Sequence, residues 1–324
     1  MRSKAPMGPS IKIILAKIMV TLVLLLVETK CCASTSSSRP AKTDLDDPPN
    51  HRPAQTDFYC RKDACPGGVA NVGCHCSAGA YGTGCVGKAA RRISLDQHLR
   101  DVILREHNVK RNLIACGSIE PFEPAARMAE VTWDAELEHL AWCNVRQCAY
   151  GHDHCRSTRA FHFAGQNIAQ RTACVAVGAG AVPPAMKPDE TIHKSIGSWF
   201  QEHGNATLGM IDRFPANVTS GPIGHFTVMV NEKVRRVGCA LIAYKQQQQQ
   251  HRQKDSQNHN RKICLVHYLV CNYSHTNFVR QKTYTKSPEP VQNCSLYSAE
   301  YSCLCSSHEP LLATGGGGGG DGTY

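Results

Sequence analysis

The sequence predicts an α+β fold held together by disulfides. Three segments with apolar residues at helical spacing come first, and three aromatic or β-branched runs follow them. That grouping is the pattern of α+β proteins rather than of alternating α/β ones. The third observation is the cysteine content: 18 in 324 residues, of which 16 remain once Cys31 and Cys32 leave with an amino-terminal signal. An even number behind a secretion signal reads as a disulfide framework.

Taken in order, Arg2 and Lys4 precede the apolar run Ile18 to Val27, and Cys31-Cys32-Ala33 supplies small residues for cleavage, so residues 1–33 read as a signal peptide. The run is well short of the ~20 residues that cross a bilayer, which argues against a transmembrane anchor. Residues 34–57 are Ser, Thr, Pro and Asp with few large apolar side chains, a composition expected of a flexible leader. A cysteine-dense, loop-rich knot spans Cys60 to Cys85.

Ser94, with capping-box spacing to Gln97, is expected to open the first helix. Its stripe is Leu95, Leu99, Val102, Ile103 and Val109, and Gly117 ends it. A second helix is expected from Asp134 to Arg146 with Leu137, Leu140 and Ala141 inward. Phe163 to Ala169 reads as turn and strand. A third helix starts at Asp189, where Ile192, Ile196, Trp199 and Phe200 recur at helical spacing.

The closing strands are Phe226 to Val230, Val237 to Tyr244 and Ile263 to Tyr273. Between the last two, residues 245–262 carry five consecutive glutamines and many histidines, too long and polar for a hairpin turn, so they read as a disordered insertion. Residues 286–324 form a cysteine-containing tail that ends in a glycine run, disordered from Ala313 onward.

Charge excludes some partners. Loss of the signal lowers the formal charge from +10 to +6, because five cations and one carboxylate leave with it. The remaining cations are scattered, and no stripe of Lys and Arg interleaved with aromatics suggests nucleic acid. Lys233 to Arg236 reads as a solvated strand end.

Several spaced motifs point further. Gly224-His225-Phe226-Thr227-Val228-Met229-Val230 and Leu269-Val270-Cys271-Asn272-Tyr273 each carry polar or sulfur groups that a plain core strand would not need. In order along the chain stand Glu106-His107-Asn108 with Arg111, Met128 to Asp134, Gly151-His152-Asp153, Gly165-Gln166-Asn167, and Trp199 to Glu202. Together they resemble the CAP superfamily (cysteine-rich secretory proteins, antigen 5, pathogenesis-related 1). Tyr59-Cys60 and the stretch down to Cys85 bring the resemblance nearest to insect antigen 5, the venom allergen 5 group. It covers residues 58–285 and implies a three-layer α-β-α sandwich with a disulfide-rich amino-terminal extension.

The same resemblance implies a cleft built on His152, Gln166, Glu202 and His225. Gln166 stands where the family pattern has a carboxylate, and Val228 and Asn231 stand where glutamine and tryptophan are usual. His152, Glu202 and His225 could then hold a divalent metal such as zinc weakly, with no cofactor required. The alternative is that both histidines are hydrogen-bonded cleft-wall groups. His154, His162, His193 and His203 read as surface histidines, and Trp133, Trp142 and Trp199 as core anchors.

No Gly-x-Ser-x-Gly elbow or His-Glu-x-x-His helix is present, and cysteines expected in disulfides leave no obvious thiolate nucleophile. The expectation is therefore a secreted, non-enzymatic binding protein whose ligand is a sterol, fatty acid, sugar or protein. A hydrolase using the cleft histidines and a structural or seminal-fluid component are the alternatives. Carried over from antigen 5, the disulfides are Cys60 with Cys74, Cys65 with Cys155, Cys85 with Cys148, and Cys239 with Cys271. Eight other cysteines are left unassigned. Asn205 and Asn217 lie in Asn-x-Thr sequons expected to carry glycans.

Overall fold

The computed structural model describes residues 58–77, 79–178, 180–249 and 261–310. The expected signal peptide, leader, insertion centre and glycine run lie outside the described residues.

Five strands form one sheet: β1 (Arg91–Ile93), β2 (Thr132–Trp133), β3 (Gly165–Ala176), β4 (Arg236–Gln249) and β5 (Arg261–Tyr273). Their order is β1-β4-β5-β3, antiparallel throughout, with β2 pairing parallel to β4. The helices are α1 (Gln97–Ala115), α2 (Ala135–Val145), α3 (Pro188–Gln201), α4 (Leu208–Asp212) and α5 (Gly224–Met229).

Side chains alternate across the sheet, and that period of two sorts the core into layers. Cys239, Leu241, Ala243, Leu269 and Cys271 face one way and pack with Ile103 and Ile114 of α1, Ile196 of α3 and Phe226 of α5. Ala240, Ile242, Val266, Tyr268 and Val270 face the other way, against Ala141, Trp142 and Val145 of α2. The result is a three-layer α-β-α sandwich. Close packing of α2 on β4 needs Gly238, where a Cβ would lie 2.2 Å from the Glu138 amide nitrogen.

Local signals account for the helix ends. Asp96 caps α1 by accepting from Leu99 N, so the helix starts after the residue that capping-box spacing pointed to. Gly117, at φ +68°, ends it. The inner face of α1 is more polar than the apolar stripe expected. Val109 is 42% exposed, while His107 and Arg111 are fully buried. Arg111 finds no carboxylate there and donates to the carbonyls of Ala129, Met229, Asn231 and Val234. Asp134 caps α2 by accepting from Leu137 N.

Two expectations are corrected, and the tail adds a finding the sequence left open. Residues 224–230 are not a strand: α5 covers Gly224–Met229, and Val230 is its C-cap. Their β-branched and aromatic content favours a strand, but tertiary contacts override it. Glu202 accepts from the amides of His225 and Phe226, and Thr227 bonds back to the Ile223 carbonyl, which satisfies the first helical turn. The segment 245–262 is not wholly a loop. β4 continues through Gln249 and β5 begins at Arg261, so both arms are paired strand, with Gln249 opposite Arg261. Finally, the cysteine-containing tail docks through residue 309 on the body. Leu304 and Cys305 are fully buried, Cys305 N donates to Met128 O, and Glu130 N donates to Cys305 O.

Eight disulfides pair all 16 cysteines of the described residues. Cys60–Cys74, Cys65–Cys155, Cys76–Cys143 and Cys85–Cys148 tie the amino-terminal knot together and to α2 and the loop after it. Cys174–Cys264 and Cys239–Cys271 cross the sheet. Cys116–Cys303 fastens the tail to the end of α1, and Cys294–Cys305 closes the tail on itself. No described helix is long and apolar enough to cross a membrane.

Candidate functional site

The cleft residues come from four elements. His152 sits in the loop after α2, Gln166 at the start of β3, Glu202 at the end of α3 and His225 in the first turn of α5. Gln166 and Glu202 are buried, His225 is half-buried and His152 is exposed.

Each histidine is oriented by one side chain. His152 Nδ1 lies 2.8 Å from Gln166 Oε1. The Gln166 amide cannot be turned round, because its Nε2 donates to Asp153 Oδ2 at 2.7 Å and to Asn272 Oδ1 at 3.0 Å. Asn272 is itself fixed by donating to the Leu137 carbonyl. Oε1 is therefore the acceptor, His152 Nδ1 carries the proton, and Nε2 keeps its lone pair. Although His152 is exposed as a residue, partial desolvation by the groups around its ring is the main cause that holds the imidazole below its ordinary pKa, with the charges of Arg156 and His225 acting the same way.

His225 Nδ1 donates to Glu202 Oε1 at 2.6 Å, which leaves Nε2 of this ring uncommitted as well. The other Glu202 oxygen accepts from the amides of His225 at 2.9 Å and Phe226 at 3.2 Å. Both carboxylate oxygens are thus occupied. Glu202 orients His225, and among the described residues His152, Glu202 and His225 do not form a group whose ligand atoms all lie within 4.8 Å of one another. Among the described residues, the triads whose ligand atoms lie within 4.8 Å of one another are Cys60, Cys74 and His75, and Cys76, His139 and Cys143. Their cysteines are in disulfides, which removes the thiolates a metal would need.

Three further residues complete the cleft. Trp199 stacks on the His225 ring, centroids 6.0 Å apart and planes 17° apart, while its Nε1 donates to the Ile168 carbonyl. It is a core anchor and a cleft wall at once. Asp153 supplies the nearest carboxylate to His152 through the Gln166 amide, although Arg156 pairs with it at 2.7 Å. Asn167 donates to the His225 carbonyl and to Tyr273 OH, which also lies 3.0 Å from the buried His107 Nε2. The motifs Gly151-His152-Asp153 and Gly165-Gln166-Asn167 contained Asp153 and Asn167, but only the fold brings the Asp153 carboxylate to the Gln166 amide and Asn167 to His225.

Residues 104–273 match the CAP description of the cysteine-rich secretory protein family. The chain belongs to that family. It is 34% identical to Venom allergen-1 of Aedes aegypti over 253 residues, covering 78% of this chain and 89% of that one. It is 30% identical to Venom allergen 5 of Vespula maculifrons, covering 70% of this chain and 98% of that one. Among solved structures, NaASP2 crystallised with Zn2+ aligns at 23% identity and a TM-score of 0.48, covering 65% of this chain and 96% of that one.

Of the histidines read as surface groups, His154, His162 and His193 are exposed and His203 is half-buried. His203 is no free surface group, since it packs against Phe122, Phe200 and Phe226. His193 pairs with Glu106 at 3.0 Å. Asn217 is exposed, whereas Asn205 donates to the Pro222 carbonyl at 3.0 Å. A cavity of about 390 Å³ lies away from the cleft, between α1 and the docked tail. Asp101, Glu130 and Glu300 face Arg105 in its lining, a mixture that selects no single ligand charge.

Proposed function

We propose that this is a secreted binding protein whose cleft takes a divalent cation of the zinc class through Nε2 of His152 and Nε2 of His225. The observation that carries this reading is the tautomer each ring is held in. An amide oxygen and a carboxylate accept the two Nδ1 protons, so each ring keeps its Nε2 lone pair for a ligand. Second-shell acceptors of this kind raise imidazole basicity and fix ring direction. A bound cation would supply Lewis-acid charge for recognising an anionic or carbonyl group. With two protein ligands and solvent for the rest, binding is weak and open, unlike a closed structural zinc site.

Secretion rests on the disulfides, which form and persist in oxidising compartments, together with the apolar amino terminus. Calorimetric titration with zinc at neutral pH tests the cleft. The expected outcome is one weak site that disappears in the His152→Ala, His225→Ala double variant. A site that survives the double substitution overturns the proposal.

A further inference from the structure

Beside the cleft, three segments meet edge to edge. Phe214 N donates to Gln281 O, Arg280 N to Phe214 O, and Thr283 N to Ile211 O, which seats residues 211–214 against 280–283. Glu232 N donates to Thr283 O, and Lys233 Nζ reaches Gln281 Oε1 at 3.4 Å, which adds the turn after α5. Four exposed cations share this surface: Arg213, Lys233, Arg280 and Lys282. None of them forms an ion pair among the described residues.

Neither acidic neighbour forms an ion pair with them. Asp212, next to Arg213, is turned to Lys286 at 2.9 Å. Glu232, next to Lys233, accepts from the Thr285 amide and hydroxyl. Like charges on adjoining segments repel one another unless an outside anion compensates. Burial, with the nearby Lys233 charge, pushes His275 down to about 4, so that ring adds no positive charge at neutral pH.

The side of the patch toward the cleft is aromatic. Phe278 opens the turn that carries Arg280 and packs edge-on against Phe163, with centroids 5.2 Å apart, and His275 lies 5.4 Å from Phe278. Phe163 keeps 39% of its surface exposed beside Val279 at 51%, while Phe278 is half-buried between Phe163 and His275. Two partly exposed apolar side chains give a bilayer little to hold, on the order of 2 kcal/mol. Grouped cations beside ring faces and amide side chains suit a chain that carries anions on a hydroxylated, flat-faced backbone.

We propose that Arg213, Lys233, Arg280 and Lys282 form a docking surface for a sulfated polysaccharide. The surface is separate from the histidine pair and does not depend on a cation bound there.

The test is titration of the full secreted chain with a heparin-derived decasaccharide at about 0.15 M salt, where charges are screened beyond ~8 Å. Binding is expected to weaken steadily as salt rises and to be absent with the fully desulfated oligosaccharide. The Arg280→Glu, Lys282→Glu double variant should lose about tenfold or more in affinity. The control Lys62→Glu, Arg91→Glu makes the same change in net charge on other elements and should lose less than about twofold. Equal losses in the two variants would reduce the effect to overall charge and overturn the assignment. Loss of binding on adding a chelator would move the polyanion to a metal in the cleft and overturn it too. Tight binding to mixed phosphatidylcholine and phosphatidylserine vesicles that the decasaccharide cannot displace would make the patch a membrane surface instead.

Discussion

Gln166 receives the Nδ1 proton of His152 at 2.8 Å while both hydrogens of its own amide are committed, one to Asp153 and one to Asn272. Here an amide is the better choice than a carboxylate. A glutamate at this position would keep one oxygen on His152 but turn the other toward Asp153 and Asn272, which offer lone pairs and no protons. Two carboxylates in hydrogen-bond contact cannot both ionise freely. Gln166→Glu is therefore expected to destabilise the fold by about 1–3 kcal/mol at neutral pH. The defect should shrink as pH falls and the shared proton returns. Adding Asp153→Asn should recover most of the loss, and denaturant unfolding of the single and double variants checks the coupling.

Glu202 is the amino-terminal anchor of α5 as well as the partner of His225. Replacing it with alanine leaves two buried amides and an imidazole N–H without acceptors, each worth about 1–3 kcal/mol. Glu202→Ala should cost more stability than His225→Ala, since the latter keeps both amide contacts. Hydrogen exchange at the amides of His225 and Phe226 separates the two variants: protection is lost in the first and retained in the second.

The two long strands β4 and β5 and the three long helices were legible in the sequence because apolar and β-branched runs are local signals, whereas β1 and β2, of three and two residues, were too short to read. α5 was not legible either. Its run from Phe226 to Met229 has strand composition, and what makes it helical is a carboxylate more than twenty residues earlier in the chain. The same limit applies to α1, where His107 and Arg111 break the apolar stripe yet are buried against carbonyls that only the folded chain supplies. The hydrogen-bond partners of Glu202 were hidden for a related reason. Residue type names a candidate ligand, but whether its oxygens are already spent is a fact of packing.

The docked tail hangs on one buried carboxylate. Glu309, whose side chain is fully buried, accepts from Arg127 at 2.8 Å and from the amides of Ser295 and Leu296. Glu309→Ala should leave the sheet intact but expose the segment around Ser295 and Leu296 to protease. The Cys116–Cys303 link, closing a sequence separation of 187 residues, keeps the tail attached even so. Removing that link by a Cys116→Ser, Cys303→Ser pair should cost about 2–5 kcal/mol through the freed unfolded chain. Limited proteolysis read by mass spectrometry distinguishes local release in the first variant from general destabilisation in the second.

Acid should weaken the fold through histidines that are buried neutral. Burial is the main cause that lowers His107 and His267 to about 4. His107 donates from Nδ1 to the Ile103 carbonyl at 2.8 Å, and its Nε2 lies 3.0 Å from Tyr273 OH, an arrangement that needs an unprotonated Nε2. In the unfolded chain these groups titrate near ~6.5. Between that value and about 4 the unfolded state binds protons the native state refuses, so stability falls as pH drops through this window and levels off below it. For His107 the full difference is about 3 kcal/mol. A neutral replacement of similar shape, His107→Gln, should lower stability at pH 7 by breaking the buried contacts. It should also flatten the decline toward pH 4. Unfolding midpoints measured across this range decide the matter, and an unchanged slope in the variant would assign the acid sensitivity to other groups.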